Sequence, residues 1–442
     1  MFNMSKLNFP NSKNLKSKAQ RLIPGGAHTY SRGPDQFPQF YPNFISKGLG
    51  SYVWDIDDNE FLDWGMGLRS VCLGHCYKPV LDEVRIQLEK GVNFTLPTDI
   101  EVELAEKIVN LVPSAEMVKF AKNGSDVTSA AIRLARAYTG SDIVLRCKDN
   151  PFFSVDDWFI GDTLVDSGIP ITTKELTKSF PYNDASALED LLIKYKNKVA
   201  CIILEPVATV EPKDNFLKNV RMLADKYNVV LIFDEIISGF RWHQSGAQYK
   251  YDVKPDLTTF GKAMANGFSL SALVGKRDIM KRGGLDHKFP RVFLLSSTNG
   301  SETHSLVASK KTIEILEDGK IIQNNWNKGK QLKDCFNDIC NELGIQNFAK
   351  MTGLDISPFY LFYNKQGEVS LEIRTLFLQE MIKCGIIIPY ISISASHSQS
   401  EIDRTNEAFK KSLIVVKDAI SSNSIKKLIK GPIVKPVFRK YN

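Results

Sequence analysis

Apolar and polar positions change period from block to block along this chain. GSYVWDIDDNEFLDWG (50–65) carries two alternating runs around a polar Asp-Asp-Asn turn, the pattern of a β-hairpin. VLDEVRIQLEKG (80–91), DIEVELAEKIVNLV (99–112) and DVTSAAIRLARAYTG (126–140) repeat apolar residues at helical spacing. Short apolar runs ending in turn residues stand between and after them: MVKFAKNG (117–124), DIVLRC (142–147), VACIILEP (199–206) and VVLIFDE (229–235), the last two separated by the helical FLKNVRMLADKY (216–227). Continuous runs such as VACIIL and VVLIF fit strands covered on both faces, and the strand–helix alternation predicts a mostly parallel α/β sheet flanked by helices.

A second region follows the long helical run SLVASKKTIEILED (305–318). There GLDISPFYLFYN, EIRTLFLQEMIKCG, CGIIIPYISIS and EIDRTNEAFKKSLIVVKDAI read as strand, helix, strand and helix, a small α+β set. The first 50 residues read as an arm with a turn-rich patch, PGGAHTYSRG (24–33). The expected organisation is therefore an N-terminal arm and hairpin belonging to a small domain (1–65), a large α/β domain (66–315) and the rest of the small α+β domain (316–442). The chain has no internal repeat and no low-complexity linker.

Composition narrows this picture without redirecting it. The 442 residues are 43% hydrophobic and 24% charged, with 57 basic against 50 acidic side chains, as in an ordinary soluble protein. The lysine clusters SKNLKSKAQR and IKKLIKGPIVKPVFRK read as solvated ends, since neither belongs to a nucleic-acid-binding motif. Seven cysteines (Cys72, Cys76, Cys147, Cys201, Cys335, Cys340, Cys384) with no CxxC spacing argue against a disulfide framework and a structural zinc. No metal site, nucleic acid or membrane is expected: scattered His75, His243 and His304 have no ligand spacing, and no apolar stretch approaches the ~20 residues that span a bilayer. The N-terminus lacks the apolar core of a signal peptide, and the expected location is cytoplasmic.

The chemistry concentrates where strands end. LIFDEIISGFR (231–241) brings an apolar run to Asp234, and LTTFGKAMANG (257–267) brings a β-rich run to Lys262, set between Gly and small residues. In open α/β sheets ligands sit beyond the carboxyl ends of the strands. A buried carboxylate and a buried amine there suit pyridoxal phosphate (PLP): the amine forms a Schiff base and the acid keeps the pyridine nitrogen protonated, so that the ring acts as an electron sink. KNGSD (122–126) opens a helix and offers the backbone N–H groups of Gly124 and Ser125 to a phosphate. EPV (205–207) ends another strand in Glu205. Each motif alone has a plainer reading: an ion pair between Lys262 and Asp234, a simple helix cap, a solvated acid. Their combination favours the cofactor.

These motifs, with IPGG (23–26), LGH (73–75), NGSDVTSAAIRLARAYTG and STNGSET (297–303), resemble the class III, fold-type I PLP-dependent aminotransferases, in the branch of glutamate-1-semialdehyde 2,1-aminomutase. The similarity runs from about residue 20 to about residue 415. It implies that Lys262 is the Schiff-base lysine and proton shuttle, and that Asp234 pairs with the pyridine nitrogen. Ile236 would pack on one ring face, Gly124 and Ser125 would hold the phosphate, and Glu205 would help to seat ring or substrate. Thr298 would reach the phosphate of a neighbouring subunit, making a homodimer with shared active sites.

The chain also departs from its relatives. Where they carry a Tyr-His-Gly stack over the ring it reads NPFFSVDDW (150–158), so Phe152 or Phe153 takes the stacking position. PYISISASHSQSE (389–401) is shorter than the aminomutase segment that contributes a substrate-recognising glutamate, and the loop after EPV is shortened too. His28 and Arg32 in the N-terminal patch, Arg69 in GMGLRSV and His304 are the candidate substrate residues, an arginine being suited to a carboxylate or phosphate. The expected activity is transfer of an amino group from an amino-acid donor to a carbonyl acceptor, with a sugar or surface-glycan precursor as one acceptor class. The alternatives are an intramolecular aminomutase and a catalytically silent PLP-fold binding protein.

Overall fold

A computed structural model describes residues 7–207 and 209–441. Its strands are β1 (Ile45–Leu49), β2 (Tyr52–Asp55), β3 (Glu60–Asp63), β4 (Met117–Ala121), β5 (Ile143–Cys147), β6 (Thr177–Phe180), β7 (Val199–Leu204), β8 (Val230–Asp234), β9 (Leu257–Phe260), β10 (Ser271–Gly275), β11 (Ala349–Thr352), β12 (Phe359–Phe362) and β13 (Ile386–Ile387). The chain groups into two compact units. One holds the N-terminal residues through Leu68, Cys72–Tyr77 and Gln323–Arg439; the other holds Arg69–Val71, Lys78–Ile322 and the last residues from Lys440. Cys72–Tyr77, which the sequence pattern leaves in the large domain, thus groups with the smaller unit.

The larger unit is built on a seven-stranded sheet in the order β4-β10-β9-β8-β7-β5-β6. β5, β6, β7, β8 and β9 run parallel to their neighbours, whereas β10 is antiparallel to both β4 and β9. Only β10 is reversed, so the other six strands present their carboxyl ends on one edge. β7 and β8 are buried at every position, as their continuous apolar runs predict for strands covered on both faces. On one side Leu145, Ile202, Leu231 and Phe233 pack with Leu217, Val220 and Ala224 of the helix Phe216–Lys226. The helix Gly124–Thr139 follows β4; Asn123 N donates to Asp126 Oδ2 (2.9 Å) at its start, and Gly140 stops it at φ 71°.

In the smaller unit the sheet order is β1-β2-β3-β13. The expected hairpin is β2–β3, paired antiparallel, and β13 adds to β3 in parallel. Only Ile386–Ile387 of the apolar run 384–394 forms a strand, because Pro389 interrupts it and the residues beyond continue as loop. Phe336, Phe362, Phe377 and Phe409 meet ring to ring with Leu62, Trp64 and Ile388 in the core.

The helix Lys320–Glu342 carries Gly329, although glycine weakens a helix interior. A Cβ there would lie 1.6 Å from the Asp355 carbonyl oxygen, so the loop approaches the helix backbone itself. Gly329→Ala is expected to lower stability by about 2–3 kcal/mol or more, read as a fall in the urea midpoint; a stabilised variant would mean that helix propensity, not close approach, rules this position.

Candidate active site

Register brings the key groups to one edge. Leu204 pairs with Phe233 across β7–β8, so Glu205 stands one step on, level with Asp234. Asp234 in turn pairs with Thr259 across β8–β9, three residues before Lys262. β4 ends at Ala121, just before the phosphate-turn candidates Gly124 and Ser125.

Asp234 is buried, and its Oδ1 accepts from Ile236 N (3.0 Å) and Thr259 Oγ1 (3.0 Å). Burial still pushes its pKa up to about 6 against those two bonds, and Lys262 acts with them to lower it. Both of these bonds go to the one oxygen, and among the described residues no hydrogen bond is found on the other, which suits a pyridine N–H. Lys262 sits in a left-handed conformation at φ 44° and opens a single 3₁₀ turn after Gly261. Burial lowers its pKa well below that of an ordinary lysine; Glu205 and Asp234 oppose this, while Arg69 and Arg241 add to it. The amine is thus held nearer to neutrality, the state needed of a nucleophile or base.

Glu205 is buried, and its Oε1 has no hydrogen-bond partner among the described residues. Its backbone N–H is held by Asn150 Oδ1 (3.0 Å). Ile236 lies between two glycines: a Cβ on Gly124 would come within 2.6 Å of its Cδ1, and one on Gly261 within 3.5 Å of its Cγ2. Gly124 therefore lets the helix start approach Ile236 closely. The N–H groups of Gly124 and Ser125 lie in the first helical turn, where no carbonyl of the helix can receive them. Ser125 Oγ accepts from Val155 N (3.0 Å), tying this turn to the loop after β5 and leaving the hydroxyl proton to donate.

Of the two phenylalanines in that loop, Phe153 is 1% exposed and packs on Trp158 and Phe159, whereas Phe152 is 45% exposed and meets Phe159 in a T-shaped contact. Phe152 is the more accessible of the two rings. Arg69 ends the turn Met66–Arg69, in which all four residues have positive φ (42°, 60°, 59° and 67°). Its charge acts on both Glu205 and Lys262.

Three partners escaped the sequence reading. Arg241 is buried and donates to the Arg69 carbonyl, Thr259 steadies Asp234 and Asn150 anchors Glu205. An arginine closing the small-residue run ISGFR was the one visible signal; the other two depend on strand pairing and a long-range contact.

Of the remaining candidates, His304 and Thr298 have other partners. Glu302 gathers Lys122 (2.5 Å), Asn299 (2.6 Å) and His304 (4.0 Å). Burial, with Lys122 acting in the same direction, lowers the pKa of His304. Thr298 is exposed, its carbonyl accepting from Asn93 Nδ2 (3.0 Å). His28 and Arg32 belong to the smaller unit, exposed beside and within the 3₁₀ turn Tyr30–Arg32.

A lysine of lowered pKa, an acid with both its hydrogen bonds on one oxygen, a buried carboxyl oxygen without a partner among the described residues and an open helix start together fit PLP. The class-III aminotransferase family model matches residues 34–354, and the chain belongs to that family. It is 33% identical over 429 residues to a glutamate-1-semialdehyde 2,1-aminomutase of Methanothrix thermoacetophila, covering 91% of this chain and 96% of the relative. It is 35% identical over 422 residues to a 3-aminobutyryl-CoA aminotransferase of Cloacimonas acidaminovorans, covering 93% and 99%. The FumI protein of Sphingopyxis sp. MTA144, solved in its PLP internal aldimine form, superposes with a TM-score of 0.85 at 25% identity, covering 93% of this chain and 97% of that one. The fold is that of the fold-type I PLP transferases. The protein is a PLP-dependent transaminase or aminomutase acting on small molecules. No described helix is long and apolar enough to cross a membrane.

The raised pKa of Asp234 carries a sign. Relative to the unfolded chain, whose Asp titrates near ~4, the cofactor-free protein loses stability as the pH rises from there through about 6. Asp234→Asn keeps an acceptor for Ile236 and Thr259 and removes this penalty. At pH 8 the cofactor-free variant is expected to be more stable than wild type by on the order of 2–3 kcal/mol in urea, with no gain at pH 4. A variant less stable at pH 8 would refute the assignment.

Proposed function

We propose that this enzyme moves nitrogen between two separate small molecules, an amino donor and a carbonyl acceptor, in alternating half-reactions at one site. The observation that favours this over intramolecular transfer lies in residues 389–401, whose only carboxylate is Glu401. Its Oε2 accepts from Ser398 N (2.7 Å) at the start of the helix Gln399–Ser421, and its Oε1 from Tyr52 Oη (2.9 Å) and Ser400 Oγ (2.9 Å). Burial alone would raise its pKa; the hydrogen bonds from Ser398, Tyr52 and Ser400 outweigh that and lower it to about 2. Glu401 is thus committed to capping a helix, and the segment keeps no acid for the role that the aminomutase resemblance gives it.

Bound PLP supplies an electron sink for charge that develops on the reacting carbon. Asp234 would hold the ring nitrogen, Gly124 and Ser125 would hold the phosphate, and Phe152 and Ile236 would pack against the ring. Lys262 Nζ removes the proton from the donor's amino-bearing carbon and delivers one to the acceptor's carbonyl carbon. Arg69, Arg32, His28 and His304 are the proposed substrate residues, the arginines being suited to a carboxylate or phosphate. Thr298, exposed on the single chain, completes the phosphate site of a second copy in a homodimer. A keto precursor of an amino sugar or surface glycan heads the acceptors to be screened, by analogy with short-loop relatives.

With an amino donor alone, about one equivalent per active site should react and then stop until an acceptor is added. Continued turnover of a single substrate without a second would replace this reading with the aminomutase one. Lys262→Ala is expected to cut turnover by roughly 10³-fold or more, and borohydride should trap cofactor on Lys262 in the wild type. No adduct there would remove the lysine from its role, and an adduct without turnover on any donor would favour a binding protein.

A further inference from the structure

Glu205 and Asp234 follow the paired residues Leu204 and Phe233 on neighbouring parallel strands. Residues level with one another on such strands point to the same face, with backbones ~4.8 Å apart. Two carboxylates so placed in a buried pocket do not both stay ionised. The donors around them are divided unequally. Asp234 Oδ1 receives a backbone N–H and a threonine hydroxyl, both of which favour a negative charge. Glu205 Oε1, buried in a residue only 4% exposed, receives none.

The backbone that carries Glu205 is held on both sides. Its N–H is fixed to Asn150, and the next carbonyl, that of Pro206, accepts from Tyr182 Oη (2.7 Å).

We infer that Glu205 is a neutral carboxylic acid that turns its unpartnered oxygen toward the bound cofactor as a hydrogen-bonding group, while Asp234 carries the carboxylate charge of this strand edge. The inference rests on the PLP-site reading above. The groups that face Glu205 agree with it. Asp234 opposes its ionisation, and Lys262 and Arg69 favour it. Cys147, raised to about 12, and Tyr182, raised further, remain neutral beside it, mainly through burial. Burial is the largest influence on Glu205 itself and raises its pKa. The proton it keeps also spares Lys262 a full ion pair, which would otherwise hold the amine in the ammonium form.

The test uses the full-length protein with and without PLP. The cofactor-free wild type near neutral pH should show the infrared C=O band of a protonated carboxyl. Glu205→Gln should remove that band, and Asp234→Asn should keep it. Glu205→Gln, a neutral isostere, should bind PLP within about 3-fold of wild type, and Glu205→Ala about 10-fold more weakly. Above pH 8 the affinity of the wild type should decline relative to that of Glu205→Gln, as ionised Glu205 meets Asp234.

A band that survives in Glu205→Gln, or an equal loss of affinity in the Gln and Ala variants, would mean that Glu205 acts as a carboxylate and would overturn the inference. Should Glu205→Ala fail to fold, the infrared result and the Gln variant still decide. Wild type that binds no PLP would instead sink the cofactor reading, while the band would still report the proton on Glu205.

Discussion

Desolvation of ionisable groups at the carboxyl edge of a parallel sheet is the constraint on which the site depends. β7, β8 and β9 are buried at every position, so whatever follows them starts from a dry interior. An acid placed there is pushed toward its neutral form and an amine likewise, unless a partner intervenes. Asp234 and Glu205 are raised and Lys262 is lowered, all three mainly by burial. The same physics that makes the cluster costly for an empty protein prepares it for a cofactor that brings a ring N–H, an aldehyde and a phosphate.

Much of this was legible in the residues. Long periodic helices and continuous apolar strands declare themselves through side-chain period alone, and strands running into Glu205, Asp234 and Lys262 give the parallel edge its chemistry. β6 and β10 were not foreseen. Thr177–Phe180 is a short edge strand with three polar residues in a row, and Ser271–Gly275 is a short mixed run whose identity as a strand comes from pairing with β4 and β9. Pairing is a tertiary fact with no local period.

The same limit hid the supporting residues. Thr259 matters because register sets it opposite Asp234, and Asn150 because a loop 55 positions away in the chain returns to Glu205. Phe152 and Phe153 are indistinguishable as letters. Packing against Trp158 and Phe159 buries Phe153 and leaves Phe152 exposed, a difference that the letters do not carry.

Lys262 itself shows why the flanking small residues belong to the site. Its left-handed φ of 44° carries a cost of ~1–3 kcal/mol for a residue with a side chain. Gly261 before it is extended at φ −176°, and Asn266 closes the 3₁₀ turn at φ 44°. Ala263, Met264 and Ala265 are completely buried within that turn, so the surrounding packing holds the lysine in a conformation that it would otherwise leave. Continuing β9 in extended form would send alternate side chains to opposite faces of the sheet. The turn ends the strand instead, at the level where Asp234 and Glu205 emerge. Larger residues at 263 or 265 would meet a packed interior, and a relaxed backbone at 262 would carry the amine out of register with the acids. The apolar, small-residue frame of the lysine therefore specifies where the amine stands as firmly as burial specifies its charge.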